Sequence, residues 1–280
     1  DRNQARELLK RLKPLDMLWH VSGVRVRSVN PELLRDMRDA GCVGVYYGGE
    51  AGSPAILKVM EKKATLEDNL NAARWTREAG LFTIFQMVLA MPGETEQTIA
   101  ETTEFLKKCT ENVFESPRSR LSLNYIQALP GTPVYEYARH RGLIGKSLLE
   151  EEKYLLAISD IDAVDDTKTL NFTEYDYLTV RSWRRRIVMD VMRHYYEHNK
   201  VALPSFFSFL FKLVAVRIMP RKHKVIKNSQ DKQEKVIEDY TKGGYFNLSR
   251  DLAYDTIVGY FYPVRHVILM VWLLWDEYRR

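Results

Sequence analysis

Val43-Gly44-Val45-Tyr46-Tyr47-Gly48-Gly49-Glu50-Ala51-Gly52-Ser53 and Leu81-Phe82-Thr83-Ile84-Phe85-Gln86-Met87-Val88-Leu89-Ala90-Met91-Pro92-Gly93-Glu94-Thr95 share one plan. Each is an apolar, β-branched and aromatic run that breaks at glycine or proline just before a helical pattern begins. Leu121 to Ala128, followed by Pro130-Gly131-Thr132-Pro133, repeats the plan, and Met17 to Ser22 is an earlier run of the same kind. The helices between them are well punctuated. Asn30-Pro31 opens one that ends at Gly41, Thr65 with Asp68 forms a capping box for one that ends at Gly80, and Thr95 and Thr132-Pro133 cap two more, the last closed by Gly142. Strands that alternate with helices at near-equal spacing predict a parallel sheet, as in a (β/α) barrel or an open α/β sheet. In such folds the C-terminal strand ends form the ligand-binding rim, beside the positive ends of the following helices. Repeated chemistry at those ends predicts one composite site.

A chain of 280 residues with 45% hydrophobic and 28% charged residues can bury a sizeable core. The net charge of +5 is spread among interleaved acidic and basic residues, so no continuous nucleic-acid face is expected. Cys42 and Cys109 are the only two cysteines and lack disulfide-framework spacing, which suits a reducing compartment. Asp1 to Lys13 is charged and reads as an amphipathic helix cut at its beginning, with no secretory signal. After about Ile144 the pattern turns helical: Leu148 to Ile158, then Tyr175 to Tyr196, where Arg184 to Arg186 read as a solvated face. Ala202 to Pro220 and Val264 to Trp275 are apolar helical stretches separated by a Lys-rich linker, Arg221 to Gly244. Lys212 and Arg217 interrupt the first, and the second is too short, so neither is expected to span a membrane. They suit either peripheral contact with a membrane or packing on the barrel. The expected division is 1–145, the alternating β/α part; 146–200, a helical extension packed on it; and 201–280, an apolar and basic helical region.

At the rim, Gly48 and Gly49 would allow positive φ and close backbone approach, and Glu50 would present a carboxylate to a ribose or an amine. Ser53 adds a hydroxyl one turn on. Glu94, expected in the first turn of the next helix, reads as a capping residue.

The ordered set Trp19, Arg25, Pro31-Glu32-Leu33-Leu34-Arg35-Asp36-Met37, Gly49-Glu50-Ala51-Gly52-Ser53, Lys62, Met91-Pro92-Gly93-Glu94-Thr95 and Pro130-Gly131-Thr132-Pro133-Val134-Tyr135 resembles the second half of a radical S-adenosylmethionine (SAM) enzyme. More narrowly it is similar to the cobalamin-binding radical SAM branch, which includes anaerobic magnesium-porphyrin cyclases and methyltransferases acting on unactivated carbon. The resemblance implies a partial (β/α) barrel of the radical SAM type, followed by an α-helical C-terminal region. By motif, Gly49, Glu50 and Ser53 fall where the family holds the SAM ribose and methionyl part. Val88 to Ala90 fall where adenine packs, and Tyr125, Ile126 and Gln127 would close that pocket. Arg25 could face the SAM carboxylate as a bidentate partner. Ala51 stands where serine is usual, Ala90 stands where glycine is usual, and an Asn171-Phe172-Thr173 element is common in this branch.

The same resemblance implies SAM, a [4Fe-4S] cluster and cobalamin as cofactors, an apolar lipid-like or tetrapyrrole-like substrate, and a flavodoxin- or ferredoxin-type reductant. It places the protein in the cytoplasm or peripheral to the inner face of the membrane. The family's cluster loop carries C-x-x-x-C-x-x-C, and this chain has no such triplet. The chain is therefore expected to be the C-terminal part of a longer enzyme for methyl transfer or oxidative cyclisation, inactive alone in reductive SAM cleavage, with no metal ligand and no identified catalytic residue of its own. A methylthiotransferase-like enzyme and a non-catalytic truncated barrel that binds a partner or a membrane are the alternatives.

Overall fold

The computed structural model describes residues 2–111, 120–159, 169–200, 258 and 261–278. Among them β1 (Trp19–Val24), β2 (Cys42–Glu50), β3 (Phe82–Leu89) and β4 (Leu121–Tyr125) form one parallel sheet in the order β1-β2-β3-β4. Sequential order with parallel pairing requires every crossover to run the same way, which places the crossover helices on one face. Helices α1 (Arg2–Leu12), α2 (Pro31–Asp39), α4 (Leu66–Glu78) and α5 (Glu96–Thr110) pack neighbour on neighbour in that same order. This is the arc of a β/α barrel, as the alternating pattern predicts.

The sequence signals close as real caps. Asn30 accepts the Leu33 N–H at 2.9 Å with Pro31 in the first turn of α2, and Thr65 and Asp68 form a reciprocal box at α4. The box at α5 pairs Thr95 with Thr98. Glu94 is not in the first turn of α5; it precedes the Thr95 cap and serves another purpose described below. A short helix absent from the sequence reading, α3 (Pro54–Val59), follows β2 directly, because six residues are too few to show a period. β4 is shorter than its apolar run. After Ile126 donates to the Leu89 carbonyl at 2.9 Å the chain leaves the sheet, and Tyr154 of α7 (Leu148–Ser159) clasps both backbone groups of Ala128. Asn171 staples its own loop through Thr173 and Tyr175, which seats Phe172 among Ala128, Tyr135, Ala138 and Ile144. Tyr135 and Ala138 belong to α6 (Pro133–His140).

Val45, Tyr47, Phe85, Met87, Leu89, Leu123 and Tyr125 face the helices and are buried, whereas Tyr46, Gly48, Ile84, Gln86, Val88, Ser122 and Asn124 line the opposite, half-exposed face. Tyr47 stacks on Phe85, and Phe85 meets Phe105 of α5 edge to face. The helix covering β4 is α8 (Tyr177–His198), not α6: Val180, Trp183, Ile187 and Val191 join the barrel core. It runs parallel to α5, since Trp183 and Arg186 bond Glu96 at one end while His194 and Asn199 reach Glu111 and Thr110 at the other.

The arginines of α8 are not a solvated face. Arg186 grips Glu96 through two hydrogen bonds at 3.0 and 2.7 Å. Arg181, fully buried, meets Glu277 at 2.6 Å, and Arg185 meets Asp276 at 3.3 Å. Both acids lie on α9 (Arg265–Tyr278), which packs antiparallel on α8 through Leu269 and Leu273 against Met189 and Met192. Among the described residues no helix is long and apolar enough to cross a membrane. The expected apolar stretch Ala202 to Pro220 and the linker Arg221 to Gly244 lie outside the described residues.

Gly52 locks α5 to the end of β2. A Cβ there would stand 2.6 Å from the Thr102 Cα and 2.7 Å from the Phe105 Cβ, and the Gly52 N–H donates to the Thr102 hydroxyl at 3.1 Å. Gly52→Ala is expected to destabilise the fold by about 1–3 kcal/mol through overpacking, read as a lower urea midpoint. An unchanged midpoint would show that α5 is able to retreat.

Candidate functional site

The C-terminal strand ends carry two non-glycine residues with left-handed backbone, Glu50 (φ 63°) and Ala90 (φ 69°). Such residues are uncommon and cost free energy, so their surroundings must hold them. Gly48 and Gly49, expected to allow positive φ, do not adopt it. Gly49 is a glycine for packing: its Cβ would lie 2.8 Å from the Phe85 ring, and its carbonyl accepts Asn69 Nδ2 at 3.2 Å. It therefore faces the helices, not the open rim. Glu50, two residues on, shares the open face with Gly48, and its carboxylate would meet a Gly48 Cβ at 2.7 Å. Lys62 holds that carboxylate at 2.6 Å, with both side chains part-exposed.

Glu94 is the second carboxylate of the rim and has the opposite character. Met91-Pro92-Gly93-Glu94 closes a turn, with Gly93 at φ 78° and the Glu94 N–H donating to the Met91 carbonyl at 3.1 Å. This folds the side chain back, and Oε2 accepts the N–H groups of Ala90 at 2.5 Å and Met91 at 3.2 Å. Those amides would otherwise be buried donors without partners. The carboxylate is thus what stabilises Ala90 in its left-handed conformation. Burial pushes its pKa up from 4.5 to about 7 despite the two backbone bonds.

Three buried polar atoms near these strand ends have no hydrogen-bond partner: Ser53 Oγ, Asn69 Oδ1 and Glu94 Oε1. Beside them Ala51, Ile56, Leu57 and Met91 form an apolar cluster, with Val88 and Ile126 packed against it. The structure therefore joins Val88 and Ile126 across β3 and β4, next to Ala90. Gln127 is half-exposed at the same end, and its side chain makes no hydrogen bond among the described residues. Tyr125 departs from the expected rim position. It is buried, and its hydroxyl reaches the Val180 and Arg181 carbonyls of α8 at 3.4 and 3.2 Å. One residue of register decides this, because successive strand side chains point to opposite faces. Arg25, at the end of β1, is exposed and makes no side-chain bond among the described residues.

Sequence reasoning missed the polar half of the open face. His20 stacks on Tyr46 at 5.2 Å, and Gln86 lies in register with Ser122. The available signal was polar residues at every second position of otherwise apolar strands. Cys42 and Cys109 are thiols whose pKa burial pushes up to about 12. Two cysteines, one on β2 and one on α5, are too few to fit a [4Fe-4S] cluster, which needs a set of thiolate ligands.

The sign of the Glu94 effect follows from linkage. Its folded pKa lies above its unfolded value, so between pH 4.5 and about 7 the folded state binds the extra proton and stability falls as pH rises. Glu94→Gln keeps an acceptor for the Ala90 and Met91 amides and removes the titration. The stability advantage of wild type over this variant is expected to shrink by up to about 3 kcal/mol between pH 5 and pH 7.5, measured by urea unfolding.

The radical SAM superfamily model matches residues 1–106. An uncharacterized methyltransferase of Pyrococcus horikoshii is 28% identical over 151 residues, covering 51% of this chain and 30% of the relative. The anaerobic magnesium-protoporphyrin IX monomethyl ester cyclase of Cereibacter sphaeroides is 36% identical over 98 residues, covering 34% of this chain and 16% of that enzyme. Among solved structures, the radical SAM methyltransferase TsrM of Kitasatospora setae, with cobalamin and a [4Fe-4S] cluster bound, aligns at 22% identity and a TM-score of 0.41, over 51% of this chain and 26% of that one. The chain thus spans less than a third of each of these relatives. The family match thus lies on α1 through most of α5 and takes in the rim phrases at the ends of β2 and β3.

Proposed function

We propose that this chain supplies the nucleoside-binding side of the SAM site in a radical SAM enzyme that acts on an apolar organic substrate. The observation that carries the reading is Glu50: a non-glycine residue in a left-handed conformation at a strand end, its carboxylate on the open sheet face and restrained by Lys62. The residues fit SAM. Glu50 would accept from the ribose hydroxyls, Val88 and Ile126 would pack on adenine beside Ala90, and Gln127 would bond its edge. Ser53 Oγ is an unused polar group near the methionyl end, and Arg25 would pair with the carboxylate. When bound and reduced, SAM supplies a 5′-deoxyadenosyl radical. The chain's own residues bind and orient the nucleoside and exclude water from it.

The described residues do not fit the iron–sulfur cluster, so in this reading its ligands come from outside the chain. Cobalamin rests on the motif resemblance, and no step is routed through it. The division at 145 and 200 belongs to the same proposal, as do a flavodoxin- or ferredoxin-type reductant and the cytoplasmic or peripheral location. Methyl transfer and oxidative cyclisation are the two chemistries that the resemblance favours. Membrane contact is supported by α9, where Val267, Val271, Leu274 and Trp275 form an exposed apolar stripe.

In the full-length enzyme reconstituted under anaerobic conditions, Glu50→Ala is expected to lower 5′-deoxyadenosine formation at least tenfold and to raise the SAM KM. A variant with wild-type KM and rate would remove Glu50 from the site and the reading with it. Product analysis in the same assay separates methylated, cyclised and methylthiolated substrate. Flotation with anionic liposomes is expected to carry wild type and lose Val271→Glu/Trp275→Glu; wild type remaining at the bottom of the gradient would exclude membrane contact.

A further inference from the structure

Glu111, His194 and His198 meet where α5 and α8 end. One ligand atom from each lies within 4.8 Å of the other two. His194 Nε2 stands 3.2 Å from Glu111 Oε1, and the two imidazoles lie face to face with centroids 5.4 Å apart. His194 and His198 are spaced i, i+4, which puts them on one face of α8. α5 begins at the rim and runs 15 residues away from it, about 22 Å at the helical rise. This cluster therefore lies at the end of the barrel opposite the SAM-facing edge.

We infer that Glu111, His194 and His198 form a divalent transition-metal site that fastens α8 to α5. Two imidazole nitrogens and one carboxylate oxygen suit Zn2+ or a similar borderline ion, and they do not suit Mg2+ or Ca2+, which prefer oxygen ligands. Donors bound to one tetrahedral Zn2+ lie about 3.4 Å apart, from metal–ligand distances near 2.0–2.1 Å. The His194–Glu111 separation already meets this. His198 is exposed at the end of α8, and its donor atom lies within 4.8 Å of the other two. Water would complete the coordination.

The surroundings favour a cation. The carbonyl ends of two helices converge there, and each carries partial negative charge. Asn199 Nδ2 donates to the Thr110 carbonyl at 3.2 Å and holds those ends together in the absence of any ion. Arg77 donates to the Glu111 backbone carbonyl at 2.9 Å, which anchors Glu111 while leaving its carboxylate to the imidazoles. The neighbouring Glu197 is paired with Arg193. The arrangement owes nothing to SAM chemistry, so the inference stands whether or not the SAM reading does.

The test is titration of chelator-treated, 280-residue chain with Zn2+ by calorimetry. One equivalent is expected to bind with micromolar or tighter affinity and to raise the melting temperature by about 5–10 °C at a hundredfold excess over Kd. His198→Ala, at an exposed position, is expected to fold normally, weaken binding at least tenfold and abolish the thermal shift. Glu111→Gln should do the same, while His266→Ala on α9 should leave both readouts unchanged. Absence of a wild-type site, or wild-type affinity retained in His198→Ala and Glu111→Gln, would overturn the assignment.

Discussion

Glu96 accepts three hydrogen bonds from one neighbouring helix, two from the Arg186 guanidinium and one from the Trp183 indole. The placement of α8 on α5 rests on that contact. Arg186 holds the Glu96 carboxyl below its ordinary range, so the pair is charged at neutral pH. A bidentate, part-buried guanidinium–carboxylate contact is stronger and more directional than an exposed ion pair. It sets α8 parallel to α5 and brings Val180, Trp183, Ile187 and Val191 over the sheet. α8 thus fills the outer-helix position for β4, while α6 and α7 are left to shape the rim loops.

α5 is held on its other sides by contacts of a different kind. Gly52 allows the end of β2 to approach the Thr102 backbone, and the buried Glu94 carboxylate fixes the turn that launches α5 from β3. The two rim carboxylates divide the labour by environment. Glu94 is buried, spends one oxygen on backbone amides and maintains the shape of the turn. Glu50 is part-exposed, held by a mobile ammonium and placed on the open face, where a ligand could reach it. Desolvation separates the two roles: a carboxylate out of water must be satisfied by fixed donors, whereas one at the surface can exchange partners.

Legibility in the sequence follows the range of the interaction. β2 and β3 stand out because the residues that face the helices, Val45, Tyr47, Phe85, Met87 and Leu89, recur at every second position among β-branched, aromatic and apolar neighbours. The Asn30-Pro31, Thr65/Asp68 and Thr132-Pro133 starts are visible because a cap needs only residues three or four apart. Val88 and Ile126 pack against the apolar cluster at the strand ends, a meeting across β3 and β4 that depends on the pairing of the two strands. α3 was not legible, since a helix of six residues shows no periodicity. Tyr125, expected to help close the rim pocket, lies on the buried face in register with Leu89, and a five-residue strand is too short for its own pattern to show that.

By itself, then, the sequence determined the alternation of strand and helix, the helix starts and the identity of the rim phrases, because each depends on neighbours a few residues away. Only the tertiary structure decided that Glu50 and Ala90, not Gly48 and Gly49, carry left-handed backbone, which at Ala90 the Glu94 carboxylate holds in place. It also decided that the α8 arginines bind Glu96, Asp276 and Glu277 instead of water. Partners some ninety residues apart leave no local pattern; they meet only once the helices have been packed against the sheet and each other.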